Sequence, residues 1–501
     1  MEIRGVRLKK QKFNKTTGDF FVLRDAEIYS VPLTAGDCEQ SKRVVNVGDS
    51  VKEGTMIAKP NGKYGDFVYS PCCGKVVGVV KKLNINGSMC EHVVIQRENK
   101  QDKEYLPVLE EGELDSEHLL KRLYESGLLD NFPPYESAYK KYLLKNKIED
   151  LLINCTETDP YDHATSALMK TYLSEVFDGA LLFQKICDAK RLVFVFTYKQ
   201  LKLVKLFKAY IKKRGLKKQV RIKLLPHVYP LSYSRLLAYY HTGKMVKDGA
   251  RTAQIGVIVE SAINCYDFYQ AAYKGKPSIE RAITVAGNNC IRKANYFIKN
   301  GTPVSHILEV VGFKEEGFDN MLIYGGIMSG IAQESDNVSV SLTANSLLLC
   351  ESDEFSIEKE RLCINCGKCV QSCPVRIHVK DVDDVFELRD FDKARELGVE
   401  TCLNCGVCSY VCPAKRNLTK KVQFMKDVVL NKRGKNPDSS DYVLVAGKDI
   451  GQLRNFDKIL DEDKGFTDVE ERYVSPVAEE IIALVKQDKL SNTNDGGNKD
   501  E

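Results

Sequence analysis

Cys363-Ile364-Asn365-Cys366-Gly367-Lys368-Cys369-Val370-Gln371-Ser372-Cys373-Pro374 and Cys402-Leu403-Asn404-Cys405-Gly406-Val407-Cys408-Ser409-Tyr410-Val411-Cys412-Pro413 share one pattern, C-x2-C-x2-C-x3-C-P. Three thiolates at that spacing wrap one face of a [4Fe–4S] cube, and the fourth ligates the cube of the other run. The pattern therefore predicts one cluster on Cys363, Cys366, Cys369 and Cys412, and a second on Cys402, Cys405, Cys408 and Cys373. Gly367 and Gly406 fall inside the ligand loops, where the missing Cβ lets backbone N–H groups approach sulfur. Pro374 and Pro413 end the loops.

Two other uses of eight cysteines fit less well. Structural zinc takes two C-x2-C pairs around one ion and has no place for a third cysteine at the next step. Disulfides need an oxidising compartment, and no export signal is read at the start of the chain. The remaining nine cysteines, among them the adjacent Cys72 and Cys73, show no ligand spacing and read as small buried residues.

Working outward, 501 residues exceed one core, so several domains are expected. A net charge of +5 is too near balance to argue for nucleic acid. No apolar run reaches the ~20 residues of a membrane helix. The chain reads as cytoplasmic, or peripheral on the cytoplasmic face of a membrane. Residues 1–100 alternate short apolar runs with turns, and Val45–Gly54 followed by Ser70–Val77 looks like the half-barrel of biotinyl and lipoyl domains. Carriers of that type hold a lysine at a hairpin tip between apolar neighbours; Lys63 lacks those neighbours and reads as an exposed hairpin lysine.

Residues 101–120 read as an acidic linker. From 121 to 275, strands (148–154, 191–197, 220–225) alternate with amphipathic helices (200–214), which implies a parallel sheet. Thirteen lysines and arginines between Lys190 and Lys223 read mostly as a solvated face, with an acidic partner such as a ferredoxin as the sharper alternative. Short strands with glycine turns fill 276–350. The two-cluster domain spans 351–432, with helices expected at 382–395 and 415–430. An extension, 433–501, ends in a polar tail expected to be disordered.

This order resembles the C subunit of the Rnf electron-transport complex, a relative of the flavin subunit of respiratory complex I. Ile153-Asn154-Cys155-Thr156-Glu157-Thr158-Asp159-Pro160-Tyr161 is similar to the family's I-N-G-A-E-C-E-P-Y. Tyr229-Pro230, Gly275-Lys276-Pro277, Glu280-Arg281, Gly301-Thr302-Pro303 and Gly325-Gly326-Ile327-Met328-Ser329-Gly330 match in order, over roughly residues 1–430. The resemblance implies an α/β multidomain fold. Its parts are a lipoyl-like half-barrel, a Rossmann-like domain, a β-grasp unit of the SLBB type and a helical two-cluster ferredoxin-like domain.

It also implies FMN and NAD(H) in the α/β domain, with Glu157 and Asp159 as the acidic pair near flavin and nicotinamide. Three departures speak against those cofactors. The flavin-phosphate loop G-x-G-G-x-x-F-P-T is replaced by Gly127-Leu128-Leu129-Asp130-Asn131-Phe132-Pro133-Pro134. Glycines are needed there because backbone N–H groups must reach an anion, and Asp130 would repel a phosphate unless turned away or protonated. The family's Y-P-x-G-G-E is here Tyr229–Ser234, and its D-H-R-L-M is Thr165–Met169.

The expectation is an iron–sulfur electron-transfer subunit whose flavin and nucleotide sites are weakened or lost. It would pass electrons between a low-potential carrier (a ferredoxin or flavodoxin) and other redox subunits or a membrane complex. The alternatives are a complete NADH-dependent FMN/iron–sulfur reductase and a structural assembly subunit.

Overall fold

A computed structural model describes residues 3–8 and 20–430, apart from 35–39, 62–64, 86, 88, 132–135, 144–145, 217, 247–250, 314–320, 334, 344 and 351–358. Lys63, Phe132 to Pro134 and the extension beyond 430 lie outside the described residues.

Two small antiparallel sheets form the N-terminal half-barrel. One orders Ile28–Pro32, Met89–Arg97, Gly74–Leu83 and Ser50–Val51; the other orders Lys42–Arg43, Met56–Lys59 and Val68–Tyr69. Alternating residues turn Tyr29, Val31, Val76, Val93 and Ile95 onto a shared core with Ile57. Cys72 and Cys73 are buried. The strand Phe20–Val22 leaves this unit and pairs in parallel with Ala294–Lys299, so the half-barrel does not use the whole of 1–100. Alternation explains it: Phe20 packs on Phe297 in the α/β core, whereas Phe21 faces Tyr296 on the other side.

The linker read at 101–120 contains the start of the helix Ser116–Glu125, capped by Asp115, whose carboxylate accepts from the Glu117 and His118 amides. Next comes a four-stranded parallel sheet in the order Val220–Leu225, Arg191–Thr197, Asp150–Asn154, Val257–Ser261. Strands covered on both faces need unbroken apolar runs, and Asp150–Asn154 is buried throughout. Leu151, Ile153, Phe194 and Phe196 point to one core with Phe177, Phe183, Phe207 and Phe268; Leu152, Val193 and Val195 point to the other with Leu236 and Leu237. The helix Leu201–Lys213 buries Leu203, Val204, Phe207 and Ile211, leaving Lys202, Lys205, Lys208, Lys212 and Lys213 in solvent. The solvated face expected for the basic stretch is therefore present.

A mixed six-stranded sheet follows in the order Phe20–Val22, Ala294–Lys299, Glu280–Ala286, Ser346–Cys350, Met321–Tyr324, Ile331–Gln333. The helix Val304–Val311 packs against it through Val304, Ile307 and Val311.

In the cysteine domain, Val379, Val382, Ala394, Leu418, Val422 and Met425 make the core, and buried Asp383 takes Arg416 (2.5 and 2.9 Å) and Lys421 (3.0 Å). The single helix expected at 382–395 is two, Val379–Glu387 and Phe391–Glu396. Arg389 takes a left-handed φ of 51° between them, and the Asp390 carboxylate caps the second by accepting from the Lys393 amide. The final helix is Leu418–Val429.

Candidate metal centres and flavin crevice

The two cysteine runs fold as copies. Asn365 and Asn404 sit at φ 55° and 53°, Gly367 and Gly406 at 71° and 76°, and Arg376 and Lys415 at 65° and 53°. In each copy the asparagine amide N–H donates to the first thiol, Asn365 to Cys363 Sγ and Asn404 to Cys402 Sγ, both at 3.4 Å. A short helix then carries the third cysteine, within Lys368–Ser372 and Val407–Tyr410.

The fourth cysteine of each run leaves its own copy. Cys373 lines one pocket with Cys402, Cys405 and Cys408, walled by Val375, Ile377, Val379, Val407 and Val422. Burial raises the Cys369 thiol, and among its neighbours Cys412 and Cys363 raise it further, which places those three thiols together. Cys373 and Cys405 are buried, while Cys366 is exposed. Thiols around an apolar-walled space, with backbone N–H groups directed at sulfur, fit a pair of [4Fe–4S] clusters, which would supply one-electron chemistry when bound.

The acidic pair behaves differently. It follows the strand Asp150–Asn154 at the C-terminal edge of the parallel sheet, where doubly wound folds bind nucleotides. Glu157, 1% exposed, accepts from both the amide and the hydroxyl of Ser166 at 2.5 Å, so it holds the first turn of the helix Ala164–Thr171. Ser166 in turn accepts from Gln200 Nε2 (3.2 Å), which also donates to the Cys155 carbonyl (2.7 Å). Asp159 accepts from the amides of Tyr161 and Ile327, each at 3.4 Å. A Cβ on Gly326 would collide with the Asp159 carboxylate, so glycine is required where this acid meets the turn 325–330. Glu157 and Asp159 are thus engaged by different elements of the protein.

Ser232, at one of the family's glycine positions, bonds the strand end itself. Its carbonyl accepts from Asn154 Nδ2 (2.8 Å), and its hydroxyl meets Thr158 Oγ1 (2.9 Å). Asp130 pairs with Lys141 at 2.9 Å. Lys141 also contacts Glu260 at 3.2 Å, and Glu260, fully buried, accepts from Tyr142 (2.9 Å) and Asn264 (2.8 Å). Burial alone would lower the Lys141 ammonium, but Asp130 and Glu260 hold it above its ordinary value; burial pushes the Glu260 carboxyl upward.

The junction between the crevice and the second cysteine run is not legible in the sequence. Buried Tyr229 and partly buried Tyr233 lie edge-to-face at 6.5 Å, packed with Met328 and Cys405. A Cβ on Gly406 would strike the Met328 carbonyl oxygen, so the second loop rests directly on the turn that meets Asp159. The one available signal is the glycine-rich Gly325–Gly330 run, whose packing partner is far off in sequence.

Comparison with known proteins agrees with this layout. Residues 3–100 match the model of the RnfC barrel sandwich hybrid domain, 135–267 the Nuo51 FMN-binding domain, and 356–413 a 4Fe-4S dicluster domain. The FMN-binding match begins just past the 127–134 stretch. The C subunit of the ion-translocating oxidoreductase complex of Haemophilus influenzae (strain 86-028NP) is 26% identical over 356 residues, covering 70% of this chain and 53% of the relative. That of Serratia proteamaculans (strain 568) is 26% identical over 371 residues, covering 72% and 52%. The chain thus spans about half the length of these curated relatives. A solved NAD+-reducing [NiFe]-hydrogenase in the H2-reduced state aligns with a TM-score of 0.46 at 11% identity, over 64% of this chain and 62% of the other. Among the described residues no helix is long and apolar enough to cross a membrane. With these three domain matches in one order, the chain is similar to the C subunit of the ion-translocating oxidoreductase (Rnf) complex.

Proposed function

We propose that this protein is an electron-transfer subunit of the Rnf C type. It relays single electrons through two [4Fe–4S] clusters between a low-potential carrier and other redox subunits, including those of a membrane complex. The observation that carries this reading is the exchange of fourth cysteines, with Cys373 lining the pocket of Cys402, Cys405 and Cys408. In this proposal Cys363, Cys366, Cys369 and Cys412 hold the outer cluster, and Cys402, Cys405, Cys408 and Cys373 the inner one. The inner loop abuts the crevice through Met328, Tyr229 and Tyr233.

The finer architecture belongs to the same proposal: a Rossmann-like α/β domain with strand order three-two-one-four, and a β-grasp unit built on the mixed sheet. At the Rossmann-like crevice polar groups pair within the chain: Ser232 with Thr158, Glu157 with Ser166, Ser166 with Gln200, and Asp130 and Glu260 with Lys141. Hydride chemistry is therefore assigned to a partner. The match to an FMN-binding domain favours the second reading, a complete NADH-dependent flavin reductase.

One experiment separates the two. Anaerobically reconstituted protein is expected to hold about eight irons, with flavin well below one per chain and no spectral change on adding NADH. A stoichiometric flavin bleached by NADH ahead of the clusters establishes the second reading. Iron near zero overturns both.

A further inference from the structure

The cysteine runs are one loop in two surroundings. In the second copy, Leu403 packs against both cores beside it, with Tyr233, Val407 and Leu231, while Gly406 lies against the Met328 carbonyl. In the first copy the matching residue, Ile364, is 66% exposed, and Leu362 beside Cys363 is 88% exposed. A Cβ on Gly367, which matches Gly406, would meet only Gln371 Nε2 at 4.0 Å. A face that needs a protein surface in one copy lies bare in the other, next to the exposed Cys366.

Among residues 359–368 the charge is mostly positive. Lys359, Arg361 and Lys368 are exposed, and the acid among them, Glu360, is engaged by Lys421 (3.4 Å) and the Asn417 amide (2.8 Å). Exposed apolar residues rimmed by one charge mark a protein contact, and the opposite charge on a partner speeds encounter.

We propose that residues 362–368 are the docking face for a protein electron carrier with an apolar centre and an acidic rim. The carrier sits on the first copy as the turn 326–328 of this chain sits on the second. This rests on the relay proposed above. The exchange is one electron, lost by the reduced carrier and gained by this chain, with no bond made or broken and no proton moved.

The test uses the reconstituted full chain and, as probe, an acidic two-[4Fe–4S] ferredoxin, with reduced methyl viologen as a small reductant that needs no docking face. Affinity is read by calorimetry and reduction by stopped flow. Ile364→Glu, at an exposed position, is expected to weaken ferredoxin binding and slow its electron transfer roughly tenfold or more. Lys368→Glu should weaken it a few-fold and flatten its salt dependence. Iron content and reduction by viologen should stay unchanged in both variants. Equal ferredoxin affinity and rate in wild type and Ile364→Glu overturn the proposal. So does a wild-type dimer that Ile364→Glu splits, which gives the face to a second copy. Wild-type protein that viologen cannot reduce sinks the relay itself, and the docking face with it.

Discussion

The cysteine domain and the edge of the parallel sheet sit against each other, yet they treat their polar groups in opposite ways. In the cysteine domain, backbone N–H groups and thiols face a shared space, and the walls of that space are valine and isoleucine. At the sheet edge, polar groups bond other groups of the chain: Glu157 to Ser166, Ser232 to Thr158 and Asn154, Asp130 to Lys141. A site kept for a ligand leaves donors and acceptors directed at the ligand. A site that the fold fills closes on itself, because an unpaired buried polar group costs on the order of 1–3 kcal/mol.

The largest effect that could break this contrast is loss of a ligand. Cys363→Ser and Cys412→Ser should damage the same centre, leaving about four of eight irons and one of two EPR signals. Cys373→Ser should remove the other signal, along with Cys402→Ser. Variants that sorted by run, with Cys373 grouped with Cys363, would refute the exchange of fourth ligands.

The next effect lies in the crevice at the sheet edge. Lys141→Ala leaves buried Glu260, and half-buried Asp130 beside it, without their shared cation, which should destabilise the α/β domain by about 3–5 kcal/mol in urea unfolding. If the crevice instead awaits an anionic ligand, the variant should lose little stability on its own and mainly lose ligand binding.

How much of this is legible in the sequence follows the range of the interactions. The ligand runs are readable because local spacing sets the geometry of a cube. The strand at 191–197 falls where its continuous apolar run, buried on both faces, puts it, and the edge strand at 220–225 alternates Val220, Ile222 and Leu224 with Arg221 and Lys223. The break at Arg389 is hidden because nothing in Glu387-Leu388-Arg389-Asp390 marks a stop as glycine or proline would. The transfer of Phe20–Val22 to a sheet formed by residues 280–350 is hidden by chain distance. So is the reason for Gly326, which answers to Asp159, a residue in another domain. Asp130 stands out in the sequence as a charge in the wrong place; that Lys141 answers it emerges only in three dimensions.

The two ligand loops offer a finer comparison, because one glycine position occurs in both. Both glycines hold positive φ, so alanine costs about 1–2 kcal/mol at either. At Gly406 the new Cβ also meets the Met328 carbonyl, and the loop must part from the turn beneath it. Gly406→Ala should therefore cost about 1–3 kcal/mol more than Gly367→Ala and disturb the inner centre's EPR signal. Equal losses would mean that the second loop is not seated on the turn.

The smallest effect concerns two carboxylates treated differently. Asp130 lies 2.9 Å from an ammonium, whereas Asp66, where the half-barrel meets the α/β domain, accepts from the hydroxyl of Ser137. Burial pushes Asp66 up to about 6, with Lys140 opposing and Glu136 adding. The folded protein therefore binds this proton more tightly than the unfolded chain, whose ordinary value is 3.8. Stability from this group is fully present below about pH 4, declines as pH rises through 6, and is flat above. The decline is on the order of 3 kcal/mol. Asp66→Asn should remove that part of the slope between pH 4 and 6 in urea titrations, leaving the iron content as it was. A slope unchanged by the substitution would mean that Asp66 is already ionised in the folded protein.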